Sequence, residues 1–286
     1  MTAVSEAALA ADVVHAPSVQ DMPVQTDLQA DPQASPPQLS THPASRLDVR
    51  NLRKRYGSRT VVQDVSLAVG SGEVVGLLGP NGAGKTTTLR ILSTLIKADE
   101  GDAFIAGASV RDDPETVRAK IGFLTSELKL EEFFTPNYLF DFFSSIHRVD
   151  PAVRDSRKRE LFKKFGVDEF AEVKVANLST GMKQKASLVI SLVHDPQIII
   201  FDEPTNGLDV LTAKVVTDFL TELGAGGKTI IVSTHIFSLI EKICHRVGII
   251  IGGKMAACDT LESIMSGRPL EDVFFDLYAE KAGQLI

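Results

Sequence analysis

The sequence is poor in cysteine, in long apolar runs and in net positive charge. Only two of its 286 residues are cysteine, Cys244 and Cys258. Their spacing fits neither a Cys-x-x-Cys motif nor a zinc site, which argues against a metal cluster and favours a reducing compartment. No window approaches the roughly 20 apolar residues of a membrane-spanning helix. With 30 basic and 37 acidic side chains, the net charge of −7 argues against binding nucleic acid through its phosphates.

The first 45 residues have an unusual composition. They contain no lysine, arginine, glycine or aromatic residue, yet they hold six of the 13 prolines. Such a segment buries too little apolar area to offset the entropy lost on ordering, and it lacks the cationic start of a secretory signal. We predict a disordered tail over residues 1–45, which acts as a tether or as a regulatory segment, and a folded domain over residues 46–286.

Short apolar runs alternate with helix-length segments beyond residue 46. Val65, Leu67 and Val69 alternate with polar or small neighbours, which is typical of a half-buried strand. The largely apolar run 73–78 instead predicts a central strand that is buried on both faces. Further runs follow at residues 121–124, 198–201, 229–233 and 247–251. This rhythm predicts an α/β fold with a mainly parallel sheet and one inserted helical lobe.

A glycine-rich motif follows the predicted central strand and leads into a predicted helix. Residues 79–86 fit the pattern G-x-x-x-x-G-K-[ST], which in this context is typical of a phosphate-binding loop. Its glycines let backbone amides turn inward, and the helix N-terminus favours negative charge. Lys85 is predicted to contact the β- and γ-phosphates, and Thr86 to bind Mg²⁺. The predicted nucleotide-binding residues of this motif are Gly79, Pro80, Asn81, Gly82, Ala83, Gly84, Lys85, Thr86 and Thr87.

Two carboxylates follow a second apolar run. Asp202 and Glu203 come after residues 198–201, at the end of a predicted strand, where open parallel sheets bind ligands. Asp202 is predicted to serve the Mg²⁺ shell and Glu203 to polarise the attacking water as general base. No Asn-Lys-x-Asp sequence occurs, so adenine is favoured over guanine. The motifs therefore predict an enzyme that uses ATP and Mg²⁺.

A third motif indicates a family. Residues 178–185, Leu-Ser-Thr-Gly-Met-Lys-Gln-Lys, resemble the Leu-Ser-Gly-Gly-Gln signature of the nucleotide-binding subunits of ABC transporters, with Thr180 and Met182 as departures. The resemblance implies that Ser179 and Gly181 hold the γ-phosphate of the nucleotide on the opposite subunit. Ser179 is also a suitable N-cap for a helix over residues 182–193.

Single positions elsewhere also match this family. Tyr56 resembles the aromatic residue that stacks on adenine, Asp209 lies in a segment that resembles the loop crossing the dimer interface, and His235 resembles the histidine that contacts the γ-phosphate. The family usually has a magnesium-ligating glutamine after the strand 121–124, where this chain has Ser126. Ser126 is the predicted replacement, acting through water, and Glu127 is the alternative.

The resemblance also implies a fold and partners. We expect a P-loop NTPase of the ABC ATPase type, with a mainly parallel core sheet, an antiparallel β subdomain and an inserted α-helical subdomain at about residues 126–190. Residues 252–286 are expected to form a tail of the export type. The implied partners are an integral membrane permease and a second copy in a head-to-tail homodimer around two Mg-ATP, at the inner face of the cell membrane. Residues 125–130 and 178–183 resemble ATPase subunits of bacterial sodium exporters, which suggests sodium export.

Two points stay open. The aromatic stretch 133–143 is expected partly to pack inside the helical lobe and partly to line a groove for the membrane subunit. Alternative functions are a soluble ABC ATPase of translation or DNA repair, and a nucleotide-binding regulatory module without turnover. The acidic balance and the lack of a second ATPase domain disfavour the first alternative, and the presence of Glu203 and His235 disfavours the second.

Overall fold

The computed structural model describes residues 45–125 and 130–282, which contain ten strands and nine α-helices. The strands are β1 (Ser45–Tyr56), β2 (Arg59–Gly70), β3 (Val74–Leu78), β4 (Glu100–Ile105), β5 (Ala108–Ser109), β6 (Ile121–Thr125), β7 (Ile198–Asp202), β8 (Thr229–Thr234), β9 (Arg246–Ile251) and β10 (Lys254–Thr260). The helices are α1 (Lys85–Leu92), α2 (Pro114–Lys120), α3 (Pro136–Ile146), α4 (Pro151–Phe165), α5 (Thr180–Ile190), α6 (Val210–Ala225), α7 (Phe237–Ile243), α8 (Leu261–Met265) and α9 (Leu270–Ala282). Within these two ranges, every helix is too short or too polar to cross a bilayer. Ser126 and Glu127 lie outside the described residues. So do residues 1–44 of the predicted N-terminal tail and the last four residues, 283–286, of the predicted C-terminal tail.

The strands form one sheet in the order β5-β4-β1-β2-β10-β9-β3-β8-β7-β6. Strands β9, β3, β8, β7 and β6 run parallel to one another, whereas β2, β1, β4 and β5 form an antiparallel arm. Strand β10 joins the two parts, antiparallel to β9 and bridged in parallel to β2. Helices α3, α4 and α5 are inserted between β6 and β7. The predicted fold class is therefore confirmed.

The central strands are apolar throughout because both of their faces are covered. Alternate residues of β3 contribute to different hydrophobic clusters: Val74 and Leu78 pack with residues of α3 to α7 and α9, and Val75 and Leu77 pack with residues of α1, α2 and the antiparallel arm. Successive side chains of a strand point to opposite faces, so both faces must be apolar. In β2 only every second residue near the C-terminal end, such as Val65, is fully buried, as its alternating pattern predicts.

The signature helix ends earlier than predicted. Helix α5 is capped by Ser179, as expected, but it ends at Ile190 rather than at residue 193. Leu192 and Val193 lie in a turn, and Asp195 then adopts a positive φ of 54°. Both turn residues are buried, so their apolar character gives the same periodic signal as a continued helix. The difference shows that burial, and not helical backbone, produced the apolar pattern at this end.

Two histidines pack face to face next to this turn. The rings of His147, at the end of α3, and His194 are 3.8 Å apart with an angle of 4° between their planes. His194 donates a hydrogen bond from Nε2 to the Ile121 carbonyl oxygen at 3.1 Å. Burial, with a smaller effect from His147, lowers the pKa of His194 to about 4, and burial also lowers the pKa of His147. Both rings are therefore neutral at pH 7.

The His194 pKa predicts a specific loss of stability in acid. Because the folded pKa is below the value of 6.5 for a free histidine, the unfolded chain binds more protons between pH 6.5 and about 4, and the free energy of unfolding falls as the pH falls through this window. We expect His194→Gln, which does not titrate, to lose about 1–2 kcal/mol less between pH 7 and pH 5 than the unmodified chain, where the lower figure allows for the partial exposure of the ring. Urea unfolding at the two pH values tests this, and an equal loss in both proteins would contradict the burial of a neutral ring.

Candidate functional site

The phosphate-binding loop turns tightly into α1 because of its glycines. A Cβ atom on Gly79 would lie 2.3 Å from the Ile250 carbonyl oxygen, so the end of β3 leaves room for glycine alone. Gly84 has a φ of 104° and precedes α1 without any side-chain cap. The first turn of α1 also contains no acidic residue. The loop and the positive end of the helix therefore favour an anion at this place.

Lys85 is held inside this loop. Its side chain is almost fully buried, and its Nζ donates to the carbonyl oxygens of Gly79 at 2.6 Å and Pro80 at 3.3 Å. Burial lowers the pKa of the Lys85 ammonium, although the negative charges of Glu203 and Asp202 oppose this effect. The loop therefore holds one cation whose only hydrogen-bond partners among the described residues are neutral carbonyl groups, which a phosphate can replace.

Asp202 lies beside the loop at the end of β7. It is 2% exposed, and its Oδ1 accepts a hydrogen bond from the Thr86 hydroxyl at 3.1 Å. The same oxygen accepts a short hydrogen bond from the hydroxyl of Ser233, which pairs with Asp202 across β7 and β8. The predicted pair of Thr86 and Asp202 is thus in direct contact, and a third hydroxyl reaches the same carboxylate.

Glu203 is the first residue of the turn that follows β7, so it does not belong to the strand that carries Asp202. Strand β7 ends at Asp202, and Glu203 has a φ of 51°, which is rare for a residue other than glycine. Its backbone N–H donates to the Ser233 carbonyl oxygen at 3.0 Å. Its Oε2 lies 3.0 Å from Nδ1 of His235, the residue that follows β8. The side chain of His235 is 58% exposed and that of Glu203 is 14% exposed, so the pair lies at the surface of the site.

The β1–β2 hairpin lies next to the phosphate-binding loop. A Cβ atom on Gly82 would be 3.7 Å from a guanidinium nitrogen of Arg59, and Arg59 pairs with Tyr56 at the end of the hairpin. The Tyr56 ring is 48% exposed, and the Lys54 ammonium lies 5.8 Å from its centre. A half-exposed ring beside the loop fits stacking on a base.

The signature residues lie at the open N-terminus of α5. Ser179 is exposed, and its Oγ accepts a hydrogen bond from the Met182 amide at 3.3 Å. A Cβ atom on Gly181 would have no atom within 4 Å, and its backbone has no positive φ. The described part of the chain therefore gives no steric reason for a glycine at this helical position, where glycine costs about 0.5–1 kcal/mol relative to alanine.

Asp209 acts as the N-cap of α6. Its Oδ1 accepts from the amides of Leu211 and Thr212, both at 3.0 Å, and its Oδ2 accepts from the Thr212 hydroxyl at 2.6 Å. The hydrogen bond from the Thr212 side chain is the largest of several that lower the pKa of Asp209. The Asp209 carboxylate is thus engaged by its own helix. Beside it, Val210 and Leu211 are 85% and 77% exposed.

The predicted site residues therefore form two groups. The first comprises the loop residues Gly79, Pro80, Asn81, Gly82, Ala83, Gly84, Lys85, Thr86 and Thr87 together with Asp202, Glu203 and His235, with Tyr56 on the adjoining hairpin. The second comprises Ser179, Gly181 and Asp209, and in the described ranges no hydrogen bond or ion pair joins it to the loop. Ser126, the predicted metal ligand after β6, lies outside the described residues.

Two residues near the site did not stand out in the sequence. Arg59 lies only three positions after Tyr56, and Ser233 is two positions before His235. The only sequence signal for Ser233 is a hydroxyl at the end of the apolar run 230–232. Hydroxyl groups are common in strands, so this signal has little weight without knowledge of strand order.

A separate apolar groove of about 540 Å³ lies between α3, α5, β6 and the end of α1. The ring of Phe134, which precedes α3, stacks on Tyr138, and Tyr138 stacks on Phe142 one turn further along the helix, with ring centres 4.5 and 6.2 Å apart. All three line the groove with the two stacked histidines. In contrast, Phe140 is fully buried. The aromatic stretch is thus divided between core and groove, as expected.

Comparison with known proteins identifies the family. The model of the ABC transporter family matches residues 62–206. The chain is 35% identical over 213 residues to the ABC transporter ATP-binding protein NatA of Bacillus subtilis, covering 74% of this chain and 87% of NatA. It is also 35% identical over 225 residues to the daunorubicin resistance ATP-binding protein DrrA2 of Streptomyces coeruleorubidus, covering 78% of this chain and 70% of that protein.

A solved structure is similar in fold. It is a dimeric ATP-binding cassette in a post-hydrolysis state with bound ADP and Pi, with a TM-score of 0.70 and 27% identity, covering 75% of this chain and 98% of that one. The chain belongs to the ABC transporter family, as an ATP-binding subunit of the export type that hydrolyses ATP.

Proposed function

We propose that two copies of this chain bind two Mg-ATP head to tail, and that hydrolysis drives export through a separate integral membrane subunit at the inner face of the cell membrane, without nucleic acid. The observation that supports this most is the open N-terminus of α5. Ser179 is exposed and there is free space beside Gly181, so this end of the helix suits a phosphate that is presented from outside the chain. The similar dimeric cassette with bound ADP and Pi supports a dimer that binds nucleotide.

The phosphate-binding loop and its neighbours hold the substrate in this proposal. Backbone amides of residues 79–87 and the positive end of α1 face the phosphates, and the Lys85 ammonium exchanges the Gly79 and Pro80 carbonyl oxygens for phosphate oxygens. The exposed ring of Tyr56 stacks on the adenine. Stacking requires no particular pattern of donors and acceptors, so Tyr56 positions the base without reading it in detail.

The side chains of the site also fit magnesium. Thr86 and Asp202 offer a hydroxyl and a carboxylate oxygen that lie 3.1 Å apart, and Mg²⁺ prefers one or two protein carboxylates together with substrate phosphates and water. No cluster of three or more His, Cys, Asp or Glu residues suited to a metal occurs in the ranges 45–125 and 130–282, which fits a metal that arrives with the nucleotide. When bound, Mg²⁺ neutralises charge on the β- and γ-phosphates. Ser126 is proposed as a further ligand through water.

Glu203 is proposed as the general base. Its carboxylate lies at the edge of the same sheet as Asp202, where it accepts a proton from the water that attacks the γ-phosphate. His235, 3.0 Å from Glu203 Oε2, holds this carboxylate and contacts the γ-phosphate.

The dimer closes because the closed form has the higher affinity for ATP. In that form ATP contacts both the loop of one copy and Ser179 and Gly181 of the other. Cleavage of the γ-phosphate removes this bridge and lets the copies separate.

We predict that Glu203→Gln keeps its affinity for ATP and loses turnover. The amide keeps the shape of the side chain but cannot accept a proton, so kcat should fall about 10²- to 10⁴-fold, the usual contribution of a general base. Phosphate release and binding of a fluorescent ATP analogue measure the two quantities. Turnover equal to that of the unmodified chain would exclude Glu203 from this role.

Gly181→Ala separates stability from activity. The added methyl group meets no atom within 4 Å in the described part of one chain, and alanine is the better helix former, so the variant should be as stable as the unmodified chain or up to about 1 kcal/mol more stable. If the space beside residue 181 receives a phosphate of the partner's nucleotide, ATP hydrolysis should nevertheless fall by about tenfold or more. Thermal unfolding and ATPase rates test this. Full activity in the stable variant would contradict the proposed dimer.

We also propose that the aromatic groove receives an apolar segment of the membrane subunit. Tyr138 and Phe142 are 49% and 46% exposed, and exposed aromatic clusters of this kind are typical of surfaces that bind partners. Helix α3 connects the groove to the lobe that carries α5, because α3 and α5 pack against each other. Insertion of a segment into the groove is therefore placed to act on Ser179 and Gly181.

Loss of one ring from the groove should weaken this contact. Tyr138→Ala should reduce the affinity for a candidate membrane subunit by about tenfold or more, since aromatic anchors contribute most of the energy of such interfaces. Val153→Ala is a matched control, because Val153 is similarly exposed (47%) but lies on α4 and does not line the groove. Binding of both variants to the membrane subunit in detergent measures the difference. Equal affinities would place the partner elsewhere.

The exported substrate follows from similarity alone. The resemblance of residues 125–130 and 178–183 to sodium exporters supports sodium ions as the first candidate. A relative that is equally identical confers resistance to daunorubicin according to its name, which supports an organic drug as the second candidate. The nucleotide site favours neither, because the membrane subunit contacts the substrate.

A further inference from the structure

One polar contact at the site lies inside the sheet and not in a loop. Ser233 belongs to β8, which is fully buried along its length and hydrogen-bonded on both sides, to β3 and to β7. The side chain of Ser233 is 0% exposed. Its hydroxyl donates to Oδ1 of Asp202, which lies directly opposite it in the register of β7 and β8. The contact thus joins the two central strands at the edge that carries the nucleotide site.

The two hydroxyls that reach Asp202 differ in their surroundings. Thr86 lies in the first turn of α1, is partly exposed and belongs to the loop that would carry the phosphates. Ser233 lies between two paired strands, whose backbone position is set by the sheet. Both donate to Oδ1, so together they fix the rotation of the carboxylate. Only Ser233 can hold that rotation independently of how the loop moves around a nucleotide.

Such a contact is costly to lose. Asp202 is 2% exposed, and a buried carboxylate needs hydrogen bonds to remain charged and oriented. Hydrogen bonds to charged groups are stronger than those between neutral groups. Groups that orient a metal-binding residue, without touching the metal, commonly change metal affinity by 10- to 100-fold when removed.

We infer that Ser233 is the positioning residue of the magnesium site, which holds the Asp202 carboxylate in the orientation that binds the metal of Mg-ATP. This inference rests on the proposed role of Asp202. The Ser233 side chain is fully buried and its hydroxyl donates to Asp202, so we expect it to act through Asp202 alone. It should therefore affect binding of the nucleotide only when Mg²⁺ is present.

The test compares nucleotide binding with and without metal. A fluorescent, non-hydrolysable ATP analogue is titrated into the protein in EDTA and then in increasing Mg²⁺. For Ser233→Ala we expect the Mg²⁺ concentration for half-maximal tightening to rise about 10- to 100-fold, with affinity in EDTA unchanged within about twofold. A structural defect would instead weaken binding in both conditions, and that outcome would overturn the inference.

Further variants separate the hydroxyl from the volume of the side chain. Ser233→Cys fills the same space with a poor donor and should behave like the alanine variant, whereas Ser233→Thr keeps the hydroxyl and should restore the Mg²⁺ requirement to within about threefold. Unchanged Mg²⁺ dependence in the cysteine variant would overturn the inference. So would a threonine variant that keeps its thermal midpoint but does not restore the Mg²⁺ requirement.

Ser144→Ala is a matched control. Ser144 is also 0% exposed, but its Oγ has no hydrogen-bond partner in the described ranges.

Asp202→Asn distinguishes this inference from the proposal on which it rests. If the asparagine variant raises the Mg²⁺ requirement and Ser233→Ala does not, the inference about Ser233 fails and the role of Asp202 stands. If Asp202→Asn leaves the Mg²⁺ requirement unchanged, the assignment of Asp202 to the magnesium shell fails, and the inference fails with it.

Discussion

The register of the parallel strands determines the site. Leu78 pairs with Thr234 across β3 and β8, and Asp202 pairs with Ser233 across β8 and β7, so the groups that follow or end these strands meet at one edge of the sheet. A slip of β7 by one residue would turn Asp202 to the other face of the sheet. Such a slip is opposed because alternate residues of β7 are buried in different hydrophobic clusters. The hydrophobic core thus secures the geometry of the polar site.

The site itself is not arranged for stability. Lys85 and Asp202 are only 6% and 2% exposed, although burying charged groups is unfavourable unless they are well paired. Glu203 adopts a φ of 51° in the turn after β7, and glycine occupies a helical position at residue 181 where the chain would accept alanine. Each of these features costs free energy in the isolated chain. The proposed function accounts for all of them, because Mg-ATP bound between the loop and a second copy would place phosphates at Lys85 and Gly181 and a cation at Asp202.

Much of this arrangement could be predicted from the sequence. The fold class, the central strands and the contact between Thr86 and Asp202 follow from apolar periodicity and from motifs that carry their own local geometry. The end of α5 could not be predicted, because buried turn residues such as Val193 continue the helical pattern. The turn at Glu203 was also missed, since a positive φ has no sequence signal at a residue other than glycine. Ser233 and Arg59 reach the site only through strand pairing, which motifs within one segment do not contain.

Two chains are proposed to share the nucleotides, and the mass of the complex tests this most directly. Light scattering of Glu203→Gln protein at saturating Mg-ATP should show the mass of two chains, each of 30.9 kDa, with one nucleotide bound per chain. The same protein without nucleotide should be a monomer. A chain that stays monomeric while it binds one ATP would contradict the account, because Ser179 and Gly181 would then have no nucleotide to contact.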